Sequence, residues 1–117
     1  MSQYLLILKE NPADFSGFSP EQLQKVFGEY KAWRTKLQAD GNYVGGNKLT
    51  EEGGKLMTRN GSGIRVTDGP YVEAKEVIGG YFLISAANYE EAVKIAEGCP
   101  HLKFNGHIEL REVEQTS

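Results

Sequence analysis

Two short stretches of this chain have no polar face. Tyr4-Leu5-Leu6-Ile7-Leu8 and Tyr81-Phe82-Leu83-Ile84 are apolar at every position. Runs this short cannot span a bilayer, and they read as β-strands covered on both faces. Helices of the same chain can cover one face. The other face calls for a second subunit, so the pattern implies a homodimer. The chain has 117 residues, and no linker, low-complexity tract or fixed-period repeat divides it, so one domain over 1–117 is expected.

Around the two strands, the signals for helices and turns are local and clear. Ser19-Pro20-Glu21-Gln22 has the spacing of a capping box with proline at the first helical position. Leu23, Val26, Phe27, Tyr30, Trp33 and Leu37 then recur at helical intervals, and Gly41 ends the helix. Leu56–Arg59 and Ile64–Thr67 flank Asn60-Gly61-Ser62-Gly63 and read as a hairpin with a four-residue connection. Gly79-Gly80 opens the second apolar strand. Asn88 followed by Glu91 starts a second helix with Ala92, Val93, Ile95 and Ala96 inside, stopped by Gly98 and Pro100. Ile108 and Leu110 alternate with His107, Glu109 and Arg111 in a last strand; Val113 falls out of phase, which predicts a bulge near Glu112. Phe15 and Phe18 read as exposed loop residues. The order strand, helix, hairpin, strand, helix, strand describes a ferredoxin-like α+β domain, an antiparallel sheet with helices on one face.

Charge and cysteine content narrow the function. Thirteen basic residues against sixteen acidic ones give −3, which argues against non-specific binding to nucleic acid or anionic membrane. No basic segment followed by an apolar stretch opens the chain, and Cys99 is the only cysteine. A reducing cytoplasm is the expected setting, with no intrachain disulfide and no cysteine-rich zinc site. His101 and His107, six residues apart, match no standard zinc spacing, so no metal is expected. Gly61-Ser62-Gly63 lacks the rest of a phosphate-binding loop. Cys99, at a helix end, reads as a packing residue. Trp33 and Tyr30 lie on the apolar stripe and read as core or interface. Arg59 and Arg65 are placed facing one another across the hairpin, as exposed arginines or as an anion clamp.

The most unusual stretch runs from Thr67 to Tyr81. Asp68-Gly69-Pro70-Tyr71 is followed by Glu73, Lys75, Glu76 and Gly79-Gly80, which sets four charged groups within nine residues. By residue type alone this is either a solvated turn or a ligand-binding segment. A histidine beside Asp68 would form a base–carboxylate pair, and His101 and His107 are the available imidazoles; each can equally be a surface residue.

Here the sequence resembles a known family. Val66-Thr67-Asp68-Gly69-Pro70-Tyr71 with Glu73, Lys75-Glu76 and Gly79-Gly80-Tyr81 resembles the signature of DGPF-domain proteins related to the YCII family. The likeness covers nearly the whole chain, from Tyr4-Leu5-Leu6-Ile7 through Tyr30, Trp33, Gly41, Ala86-Ala87-Asn88 and Cys99-Pro100 to Gly106–Arg111. Glu112 stands where the family usually has proline, and the first helix lacks the histidine of YCII-type proteins. The resemblance implies a dimeric α/β barrel in which two ferredoxin-like sheets pack face to face. It also implies a family of mostly unassigned function, with a His–Asp mechanism proposed for some members and a link to extracytoplasmic-function sigma factors for others.

Together these readings give one leading expectation and one alternative. The first is a homodimer with a small-molecule pocket edged by Asp68–Glu76. Its chemistry would be acid–base without a redox cofactor, such as a lyase, isomerase or dehydrochlorinase-type elimination. Asp68 would be base or orienter and His101 or His107 its partner, with Gly69, Pro70, Tyr71, Glu73, Lys75 and Glu76 around the ligand. The alternative is a non-catalytic module contacting a protein such as a sigma factor.

Overall fold

The structure, a computed structural model, describes residues 1–50, 52–69 and 76–116. Its strands are β1 (Ser2–Glu10), β2 (Tyr43–Lys48), β3 (Lys55–Asn60), β4 (Gly63–Asp68), β5 (Val77–Ala86) and β6 (His107–Glu112). The helices are α1 (Pro20–Ala39) and α2 (Tyr89–Ala96), with short 3₁₀ turns at Pro12–Phe15 and Pro100–Phe104. β2, β5, β1 and β6 form one antiparallel sheet in that order, and β3 and β4 form a separate ribbon. This is the ferredoxin-like α+β arrangement, with the ribbon inserted between β2 and β5.

The helix starts follow from their side chains. Ser19 and Gln22 exchange hydrogen bonds as a capping box, and the Asn88 carboxamide accepts from the Glu91 amide at 2.9 Å. Gly41 follows the α1 cap with φ +78°, where a Cβ would be strained. Alternate residues of the sheet then face the helices: Tyr4, Leu6 and Leu8 from β1, and Phe82, Ile84 and Ala86 from β5. They bury against Trp33 and Leu37 of α1, Ala92 and Ala96 of α2, and Cys99. Trp33 meets Phe82 edge-on, with ring centroids 5.0 Å apart.

Several details differ from the sequence expectation. Asn60 pairs with Gly63, so the ribbon turns through Gly61-Ser62 alone, with Gly61 at φ +64°. β5 begins at Val77, which places Gly79-Gly80 inside the strand. No bulge separates β6 from β1; the Val113 amide donates to the Gln3 carbonyl at 2.8 Å. Glu112 keeps the helix-side phase because it lies at the rim, where its amide donates to the Tyr89 hydroxyl. Val113 therefore takes the opposite face without a bulge. The register shifts fall instead at Leu8/Lys9 and Tyr43/Gly45. Phe15 and Phe18 are half-buried, stacked edge-on with each other and beside Phe104. Phe27 and Val93, assigned to apolar helix faces, are exposed.

Candidate functional site

Strand alternation sends the remaining side chains of the sheet to the face without helices. Leu5 and Ile7 of β1 and Tyr81 and Leu83 of β5 form its apolar centre. Lys9 continues the same face of β1, and His107, Glu109 and Arg111 form the matching row on β6. An apolar floor thus meets a charged rim within one sheet.

The rim is hydrogen-bonded. Lys9 donates to Glu109 at 3.0 Å, and Arg111 reaches the other Glu109 oxygen at 3.4 Å. These bonds hold the Glu109 carboxyl below the usual carboxylate range. The sign follows: the cluster favours the fold above about pH 4, and that contribution fades as pH falls through the lowered value. Exposure and salt keep it small.

His107, directly across from Lys9, pairs through Nδ1 with the Glu76 carboxylate. A carboxylate only accepts, so Nδ1 carries the proton of this bond, and Nε2 has no hydrogen-bond partner among the described residues. This is the geometry by which a carboxylate orients a histidine base. Two of the residues singled out in the sequence are thereby brought together. Lys9, Tyr81, Glu109 and Arg111 were missed as site residues. Their signal was the shared strand phase, readable only once β1 and β6 are known to be neighbours.

His101 is placed elsewhere. It is 2% exposed, with Nε2 donating to the Lys9 carbonyl at 2.7 Å and Nδ1 bonded to the Tyr30 hydroxyl at 2.8 Å. Burial pushes the Tyr30 phenol up, aided by the nearby Cys99, Glu10 and Glu29. Gly106 backs the ring: a Cβ there would stand 2.2 Å from Nε2. Both imidazole nitrogens are occupied, so His101 ties α1, β1 and the loop before β6 together.

Asp68 ends β4 at the base of the ribbon. Its side chain is 87% exposed and pairs with Lys55 across the strands. Among the described residues, no hydrogen bond links Asp68 to either histidine. Pro70, Tyr71, Glu73 and Lys75 lie outside the described residues. Gly69 is not in the left-handed region, so positive φ is not its constraint. Instead its amide donates to Gly54, and a Cβ would meet the Gly53 carbonyl at 2.9 Å and Leu56 at 3.1 Å. Gly69→Val is expected to destabilise by roughly 1–2 kcal/mol through this close backbone approach. A thermal melt indistinguishable from wild type would show that the approach is not binding.

The other candidates resolve simply. Arg59 pairs with Ile64 and Arg65 with Thr58, which sends the two arginines to opposite faces of the ribbon and removes the anion clamp. Cys99 is buried, and burial pushes its thiol up to about 11, so it is neutral and unreactive at pH 7. Among the described residues, no group of three His, Cys, Asp or Glu side chains could hold a metal ion. Among the described residues, no helix is long and apolar enough to cross a membrane. A groove of about 410 Å³ lies between α1 and α2 on the helix side and is lined by Trp33, Leu37, Lys94 and Ile95 among others.

Geometry and sequence converge with one comparison. A family model described as the YCII-related domain matches residues 2–117. The chain belongs to the YCII-related family. No curated protein matches it. In this YCII-related domain, Tyr30 of the first helix is the partner of the buried His101, and the exposed His–carboxylate pair is His107–Glu76.

Proposed function

We propose that this YCII-related protein is a homodimer that binds a small organic molecule on the helix-free sheet face, and that His107, oriented by Glu76, moves a proton on it. The observation that carries this reading is the juxtaposition of the His107–Glu76 pair with an uncovered apolar patch. Leu5, Ile7 and Leu83 give a ligand an apolar bed, and Lys9 and Arg111 favour a carboxylate or phenolate. The Tyr81 hydroxyl accepts from the Asn47 amide at 3.1 Å, which leaves its own proton to donate to the ligand. The chemistry is acid–base, of the lyase or isomerase kind, with Nε2 of His107 as base.

Asp68 takes no part in that reading, because it points into solvent beside Lys55. Its exposure instead favours a second reading, a regulatory module that presents the Asp68 end of the ribbon to a protein such as an extracytoplasmic-function sigma factor. A thermal-shift screen of small organic acids and phenols separates the two. A ligand of the sheet face is expected to stabilise wild type and Asp68→Asn equally and His107→Gln much less. Where turnover is measurable, His107→Gln should lower it roughly 100-fold. Equal stabilisation of all three proteins would remove His107 from the site.

A further inference from the structure

Among the described residues, the β3–β4 ribbon stands apart from the four-stranded sheet. Its strands pair with each other and pack on no other element to a comparable degree. The radius of gyration is 16.3 Å, against about 13 Å for a compact domain of this length. An isolated two-stranded ribbon is at best marginally stable in water. This one also exposes an apolar stripe on a single face: Met57 (68% exposed), Ile64 (55%) and Val66 (54%). Such a stripe on a projecting arm is a contact surface waiting for a partner.

Two observations identify the partner as a second copy of this chain. The first is charge. Residues 55–68 carry Lys55, Arg59 and Arg65 against Asp68, a net of +2 in a chain of −3, so the rest of the protomer carries −5. A basic arm complements the acidic body of another copy and is mismatched to basic partners. Glu112 and Glu114, at the end of β6 and just after it, stand at one edge of that body, while Glu109 is already paired with Lys9 and Arg111. The second observation is area. Two strands about 20 Å long and two about 30 Å long, set about 4.8 Å apart, offer a footprint of roughly 500 Å², short of the roughly 800 Å² per partner of a stable interface. One arm adds about 200 Å² where it lies and covers about 200 Å² where it lands, which closes the deficit.

We infer that the β3–β4 ribbon of each protomer is a clasp that lays its Met57–Ile64–Val66 face on the body of the other protomer. This rests on the homodimer proposed above and adds to it which element holds the second copy. The pairing is reciprocal, as two-fold symmetry requires.

The test uses the full chain. Met57→Asp combined with Val66→Asp alters exposed arm residues only, so the fold of the body should be kept, checked by far-UV circular dichroism. Sedimentation velocity is expected to show dimer affinity weakened at least tenfold. Independently, Ser62→Cys at the arm tip accepts a spin label while the buried Cys99 does not. Mixing labelled protein with ¹⁵N-labelled wild type should broaden amide signals in the body of the other copy. A wild-type dimer whose affinity the double variant leaves unchanged, with no intermolecular broadening, would overturn the clasp and leave the sheet-face dimer standing. A wild-type monomer at micromolar concentration would overturn both.

Discussion

His101→Ala is expected to lower stability by about 3–5 kcal/mol, a large part of the 5–15 kcal/mol available to a domain of this kind. The substitution removes a buried ring, leaves a cavity and strips the Lys9 carbonyl and Tyr30 hydroxyl of their shared partner. Urea unfolding should show a lower midpoint with little change in slope, since the core of the fold is kept. Gly106→Ala should act on the same contact from the other side. Its Cβ would sit 2.2 Å from His101 Nε2, so the ring must leave the Lys9 carbonyl. The alanine is expected to destabilise by about 2 kcal/mol in wild type and by much less beside His101→Ala, because the clash is then gone. Equal effects in both backgrounds would show that ring displacement is not the cause. Ligand binding at the sheet face should survive His101→Ala in whatever fraction stays folded, which distinguishes a structural histidine from a base.

Leu83→Asp, or Ile7→Asp, is expected to weaken the proposed homodimer at least 100-fold, or to unfold the protein if the protomer cannot stand alone. Both residues lie in the apolar centre of the helix-free face, and Leu83 is flanked in the register by Leu5 and Gly45, neither of them a cation. Covering that face would bury an unpaired carboxylate from each protomer, at about 3–5 kcal/mol for a charge without a partner. Sedimentation equilibrium on the variant and on Leu83→Ala separates charge from lost contact. The alanine should weaken the dimer by less, and a Leu83→Asp protein as dimeric as wild type would exclude this face from the interface.

Much of the fold was legible in the sequence because its cues are local. The Ser19–Gln22 capping box, the Asn88–Glu91 cap and Gly41 each act within one helical turn, and each forms as read. The two all-apolar strands announced a sheet with a second face to cover, since period-two alternation is absent from them. The errors fall where a local rule has two solutions. Asn60–Gly63 supports a four- or a two-residue turn, and only the pairing of Asn60 with Gly63 selects the second. That choice shifts the ribbon register and sends Arg59 and Arg65 to opposite faces.

The candidate site depended on contacts that no local pattern encodes. His101 and His107 are six residues apart and alike in type, yet one is sealed beneath Gly106 and the other is exposed on β6, paired with Glu76. Lys9, 92 residues from His101 in the chain, brings its backbone carbonyl to that ring, whereas His107 lies opposite Lys9 in the strand register and bonds Glu76. Asp68, the most conspicuous acid in the sequence, lies at the base of the projecting ribbon, while Glu76 reaches a histidine. Sequence alone determined the order of the elements and most of the residues they bury, Phe27 and Val93 excepted, because propensity, capping and hydrophobic period are properties of neighbouring residues. Only the tertiary structure decided which charged groups meet, because β1 and β6 are joined by hydrogen bonds between strands about one hundred residues apart.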